Sequence, residues 1–312
     1  MVINDLGRFI FIHIPKNAGN SITKLLLKHF GNDDSRPMYH PLHSSPKWKE
    51  GLPFKQRPGV IHDQYTGRPY LLIPQHAGLK WVGNNLPEVL LYKKICFSRN
   101  PYSRMVSWWT YNRSHEKFWE EYDLARHARD MEFNEWLLKC IQRGRQELIP
   151  QVYFISPYYK FELPQLEREV LEARIGDSMK PGDPPTKTIS TEVIRMEDST
   201  IDVHPLRHNN FIRGKFGLGE TDNPTPIYQP NADFVGKVEN LEQDIKRLFD
   251  YLDVAIWSKN NVMGITKENT SKEKVDYREQ YNTESVEIVQ SIFQQDFEYF
   301  NYSYDLADSS NG

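Results

Sequence analysis

The sequence predicts an α/β protein, with a parallel β-sheet flanked by helices and one irregular insertion. Two observations carry most of this. A β-branched and aromatic run at 8–14 passes through a Gly-containing turn into a helical pattern at 22–30. A second apolar run at 90–98 passes through Arg99-Asn100-Pro101 into another helical pattern. Strand–loop–helix units in series imply parallel strands, because each helix carries the chain back across the sheet. The third observation is compositional: 312 residues, 38% hydrophobic and 26% charged, suffice for an ordinary core in a single domain.

Each element has its own signal. The first strand ends at Pro15-Lys16-Asn17-Ala18-Gly19-Asn20-Ser21, and the helix after it has apolar residues at 22, 25 and 26. Residues 31–68, rich in Pro, Gly, His and charge, read as a long surface excursion. Tyr70 to Ile73 reads as a second strand, closed by Pro74-Gln75-His76, with a short helix through Leu79-Lys80-Trp81. Leu90 to Ser98 is the third strand, and the next helix has Pro101 in its first turn, a favoured place. Phe133 to Ile141 reads as a helix and Gln151 to Ile155 as a short strand. Residues 157–232 lack periodicity and form the expected insertion. Order returns at 233–241, then a helix to about Leu252 and a last helix from Ser285 to Phe297.

Composition narrows the function. Net charge is −3, yet residues 1–120 hold 17 Lys+Arg against 8 Asp+Glu, leaving 22 against 34 in the rest. A basic N-terminal part favours an anionic ligand there. Its cations are scattered, which favours a small polyanion over nucleic acid. Two cysteines, Cys96 and Cys140, make no disulfide framework, and Cys96 reads as a buried thiol. No apolar stretch is long enough to span a bilayer, and no signal peptide opens the chain. A soluble protein of the cytoplasm, most simply a bacterial one, is the expectation.

Two segments carry chemistry. A strand-to-helix turn aims backbone N–H groups at one point, and the helix dipole adds positive charge, which suits a phosphate. Lys16 adds an ammonium and Ser21 a hydroxyl, although such a turn alone is equally a tight connection. Gly-Lys-Ser/Thr, the ATPase signature, is missing. Arg99 stands at the carboxyl end of a strand, where open α/β sheets bind ligands. Asn100 can cap the following helix, and Ser107 lies two turns in on the face of Asn100, Ser103 and Arg104. An Arg fork with a helix hydroxyl can hold a second phosphate.

The run Ile12 to Ile22 closely resembles the 5′-phosphosulfate loop of sulfotransferases, usually Pro-Lys-Thr/Ser-Ala-Gly-Thr-Ser. Arg99 through Ser107 resembles that family's 3′-phosphate segment. Phe234 to Asp244 is similar to its Phe-x-Gly-Arg-x-Glu-Asn-Leu segment, and Tyr281 to Tyr302, with Asp296-Phe297, to its C-terminal helix. The branch resembled contains Golgi carbohydrate sulfotransferases and soluble bacterial relatives. Asn17 and Asn20 replace the usual Thr or Ser, and Lys237 replaces a common Arg.

This resemblance implies a P-loop-like sheet and transfer of a sulfuryl group from 3′-phosphoadenosine 5′-phosphosulfate to a hydroxyl or amine, without a metal. Lys16, Asn17, Ala18, Gly19, Asn20, Ser21, Arg99 and Ser107 would hold the donor. Lys16 would also neutralise charge in the transition state. A His between the two segments commonly serves as base in this family, which points to His76; a structural His capping the next helix is the alternative. His62 and Glu120-Glu121 are weaker choices, and His13 reads as structural. A glycan or glycolipid is the expected acceptor, with Trp81, Trp108 and Trp109 as candidate stacking platforms. A nucleotide-binding protein without sulfuryl chemistry and a P-loop kinase-like phosphotransferase are the alternatives.

Overall fold

The computed structural model describes residues 1–4, 7–30, 38–39, 60–62, 69–71, 76–114, 123–143, 146–162, 225–253 and 275–308. In chain order the elements begin with β1 (Val2–Asn4), β2 (Phe9–Ile12), α1 (Gly19–Phe30), β3 (Met38–Tyr39), β4 (Val60–His62) and β5 (Pro69–Leu71). Then come α2 (Leu79–Asn85), β6 (Lys93–Ser98), α3 (Pro101–Ser114), α4 (Asp123–Asp130), α5 (Phe133–Arg143) and α6 (Gln151–Phe154). Last are β7 (Tyr158–Glu162), β8 (Thr225–Gln229), β9 (Phe234–Lys237), α7 (Leu241–Tyr251), α8 (Thr283–Ile292) and α9 (Gln294–Phe300).

Five strands form the central sheet in the order β3-β1-β2-β6-β9. β2, β6 and β9 run parallel, with Phe9 opposite Lys93 and Ser98 opposite Lys237. β1 and β3 add antiparallel pairings at one side, so the sheet is mixed rather than wholly parallel. Between β1 and β2, Gly7 N donates to Asn4 Oδ1. A three-residue strand leaves almost no periodic signal.

Phe9–Ile12 is apolar throughout because both faces of the strand are covered, as in parallel sheets generally. Phe9, Phe11, Ile95 and Phe97 pack with Ile22 and Leu26 of α1 and with Leu248 and Phe249 of α7. Ile10, Ile12 and Cys96 face the other way, into a larger core with α2, α3, α5, α6, α8 and α9. Two helical layers therefore enclose one sheet.

Four expectations are corrected. The second strand expected at 70–73 runs from 69 to 71 and pairs with β4 in a separate hairpin, outside the central sheet. The strand expected from Leu90 starts at Lys93, because Pro87–Leu91 forms a 3-10 helix with Pro at its start. Gln151–Phe154 is a helical turn rather than a strand, since the Asp296 carboxylate accepts from Gln151 N and Val152 N and caps it. The last helix is broken at Phe293 into α8 and α9. Ile288, Ile292, Phe293, Phe297 and Phe300 all enter one core, so apolar spacing runs on through the break. At the ends of the expected insertion, β7 and β8 pair antiparallel; its residues 163–224 lie outside the described residues.

Candidate functional site

The turn between β2 and α1 is held in an uncommon conformation. Lys16 and Ala18 have φ of 70° and 56°, the left-handed region that non-glycine residues seldom adopt. Gly19 is required by close approach, because any Cβ there would run into the His13 ring. Asn17 is buried, and its Nδ2 donates to Phe97 O (2.7 Å) and to Gln151 Oε1 (2.6 Å). The amide therefore ties the turn to β6, while Asn17 Oδ1 has no partner among the described residues. Asn20 is exposed and Ser21 buried, both in the first turn of α1.

Lys16 turns towards α3. Its Nζ lies 3.7 Å from the ring centre of Tyr111 and 5.5 Å from that of Trp108. Burial first, then the charges of Arg99 and Arg104, lower its pKa to about 7.

Arg99 sits at the carboxyl end of β6, the strand beside β2. Its Nη1 donates to Lys16 O at 3.2 Å and its Nε to Ser103 Oγ at 2.9 Å. Burial lowers its pKa, opposed chiefly by Glu239. Asn100 Oδ1 accepts from Tyr102 N at 2.9 Å and Ser103 N at 3.4 Å, capping α3 as its sequence suggested. Ser107 follows Ser103 by one turn on the same helix and is half-buried. The structure thus brings Lys16, Arg99 and the α3 hydroxyl face to neighbouring ends of parallel strands.

His76 packs edge-on against His13, just before the turn, with ring centres 4.7 Å apart, and its Nδ1 is 3.0 Å from His13 O. A carbonyl only accepts, so a neutral His76 carries its proton on Nδ1 and presents Nε2 as the basic nitrogen. The ring is exposed, whereas His13 is buried. Glu120 and Glu121 lie outside the described residues, and His62 is described only as the end of β4. Trp109 is core, with Nε1 donating to Met131 O, so it is no stacking platform. Trp81 is partly buried against the same core, while Trp108 stands beside Lys16.

Several residues that the motifs did not single out organise the site. Arg104, expected on the face of Ser103 and Ser107, is 1% exposed and donates to Pro15 O and Ile149 O. Burial lowers its pKa to about 10, partly offset by Asp296. Gln151 holds both the N–H and the C=O of Arg99. Glu239 accepts from Asn100 N at 2.8 Å and from Tyr302 OH at 3.1 Å, and Tyr302 OH also meets Ser98 Oγ at 3.0 Å. Glu239, Asp296 and Tyr302 stand inside runs already noted as family-like. Gln151 offered no signal beyond a polar residue at the head of an apolar run. A cavity of about 630 Å³ opens between β9, α7 and α9, lined in part by Lys237, Arg247 and Tyr299. Lys237 Nζ lies 4.5 Å from the Tyr302 ring centre.

The C-terminal elements that brace Arg99 and Gln151 are also where likeness to known proteins is found. Residues 228–303 match the sulfotransferase family. No curated protein and no solved structure shows a significant match to the chain. The matched stretch supplies Glu239, Asp296 and Tyr302, and the Lys16 turn and Arg99 segment lie outside it. Hydrogen bonds join the two parts, Asn100 N donating to Glu239 and Gln151 N to Asp296. The match supports the sulfotransferase family and a transferase activity. Among the described residues, no group of three or more His, Cys, Asp or Glu is placed to hold a metal ion, and no helix is long and apolar enough to cross a membrane.

Proposed function

We propose that the protein transfers a sulfuryl group from 3′-phosphoadenosine 5′-phosphosulfate to a hydroxyl, or an amine, of a glycan or glycolipid. The observation that carries this is the pairing of two cationic strand ends, with Arg99 Nη1 bonded to Lys16 O. One donor with an anionic group at each end suits two such sites, and the family match favours sulfuryl over phosphoryl transfer. The turn suits an anion: it leads directly into the first turn of α1, whose backbone N–H groups have no partner within the helix, and it carries the Lys16 ammonium.

In this scheme Lys16 to Ser21 hold the 5′ end, and Arg99 with Ser107 the 3′-phosphate. The acceptor oxygen bonds to sulfur as the bridging phosphate oxygen leaves, and the acceptor proton passes to His76 Nε2. Charge grows on the departing phosphate, where the Lys16 ammonium neutralises it. Positioning and charge carry most of the catalysis, as in phosphoryl transfer. Such a reaction needs no metal.

Calorimetry and thermal melting with 3′-phosphoadenosine 5′-phosphate, 5′-AMP, ATP and GTP test the reading. The bisphosphate should bind most tightly and raise the melting temperature most, since a ligand of the folded state stabilises it. Equal shifts from the bisphosphate and 5′-AMP would remove the 3′-phosphate site, and preference for ATP or GTP would favour a kinase-like or other nucleotide-binding role.

A further inference from the structure

We infer that Gln151 is a positioning residue that sets the spacing of the two anion sites, and so gives preference for a nucleotide with phosphate at both ends. This rests on the donor reading above. Gln151 is fully buried, and its side-chain amide touches both loops at once. Oε1 accepts from Asn17 Nδ2 at 2.6 Å and from Arg99 N at 2.9 Å. Nε2 donates to Arg99 O at 2.8 Å and to Asp296 Oδ2 at 3.4 Å. Two accepted and two donated bonds use the whole capacity of a primary amide.

The amide is itself anchored from the C-terminal part of the chain. Asp296, on α9, accepts from Gln151 N at 2.8 Å and Val152 N at 2.9 Å, and is fully buried. A continuous set of bonds therefore runs from α9 through α6 to the Lys16 turn and the Arg99 segment. Asn17, where the family that the turn resembles usually has Thr or Ser, now has a reason: only an amide N–H₂ reaches both Phe97 O and Gln151 Oε1. Its donors face inward, to the bridge.

Gln151 makes no contact that a phosphate would need, and its effect lies in geometry. A ligand that engages two sites gains over either site alone only while their separation matches its span. If the bridge is cut, each loop can still meet one phosphate, and the gain from meeting both falls. A residue serving stability alone would instead weaken all nucleotides together.

The test compares 3′-phosphoadenosine 5′-phosphate, 5′-AMP and 3′-AMP by calorimetry on the wild type, Gln151→Met and Gln151→Leu, with melting curves to verify folding. Met keeps the length of the side chain and loses all four bonds without adding a charge beside Asp296 or the anion sites; it covers the case that Leu prevents folding. The expected result is a fall of about tenfold or more for the bisphosphate, with each monophosphate changing less than about threefold. Parallel losses for all three nucleotides, or none for the bisphosphate, would overturn the role of Gln151 while the donor reading stands. A wild type binding the bisphosphate no better than 5′-AMP would overturn the donor reading, and this inference with it.

Discussion

Donor binding should draw a proton onto Lys16. In the free protein its ammonium lies against Tyr111, and burial together with Arg99 and Arg104 lowers its pKa to about 7. At pH 8 such a group is only about one-tenth protonated. A phosphate or phosphosulfate beside it favours the charged form and should return the pKa towards the usual lysine value near 10.4. Binding at pH 8 would then take up about 0.9 proton, and at pH 7 about half a proton. The bound state holds more protons, so affinity must fall as pH rises above 7, by up to about tenfold per unit. At pH 8 the nucleotide phosphates are already ionised, their second pKa being about 6, so they add little. The assay is calorimetry with 3′-phosphoadenosine 5′-phosphate in two buffers of different ionisation enthalpy, where the slope of observed enthalpy gives the proton count. Lys16→Met should lower affinity and abolish the uptake. An equal uptake in wild type and Lys16→Met, or none in either, refutes the reasoning.

Arg99→Lys removes a fork that spans Lys16 O and Ser103 Oγ; donor affinity should fall roughly ten- to a hundred-fold by titration, and an unchanged affinity would sink the second site. His76→Ala should leave donor affinity nearly intact and lower turnover by about 10²–10⁴-fold, once glycan and glycolipid screening with radiolabelled donor supplies an acceptor. Full activity across the pH range would remove His76 as base. Gly19→Ala forces the His13 ring aside, and donor affinity should drop on a folded protein, as melting and calorimetry together would show. Arg104→Met strips the donor from Pro15 O and Ile149 O; urea unfolding should show a loss of about 1–3 kcal/mol for each carbonyl left unpaired.

Much of the candidate site was legible because its signals are local. A strand pattern, a turn and a helix pattern in sequence are enough to place Lys16 and Arg99 at strand ends. Pro101 at a helix start and Asn100 before it mark the α3 boundary without reference to any other segment. The parallel β2–β6 pairing also follows, since a helix between two strands must carry the chain back.

The misses share a cause. Gln151 to Phe154 is helical because a carboxylate from residue 296 caps it, a partner far away in the chain. β5 pairs with β4 rather than joining the central sheet, and nothing in a three-residue strand specifies which edge it meets. Arg104 shares a helix with Ser103 and Ser107 yet is buried, because Pro15 and Ile149 offer carbonyls that helical spacing cannot foresee. Residue types and their periodicity therefore determined which elements exist and which of them end in cationic turns. Only the tertiary structure decided which turns meet, and that a single buried glutamine holds two of them. Periodicity records the side of an element that seeks burial, whereas partner choice depends on hydrogen bonds between groups remote in sequence, formed once the core has closed.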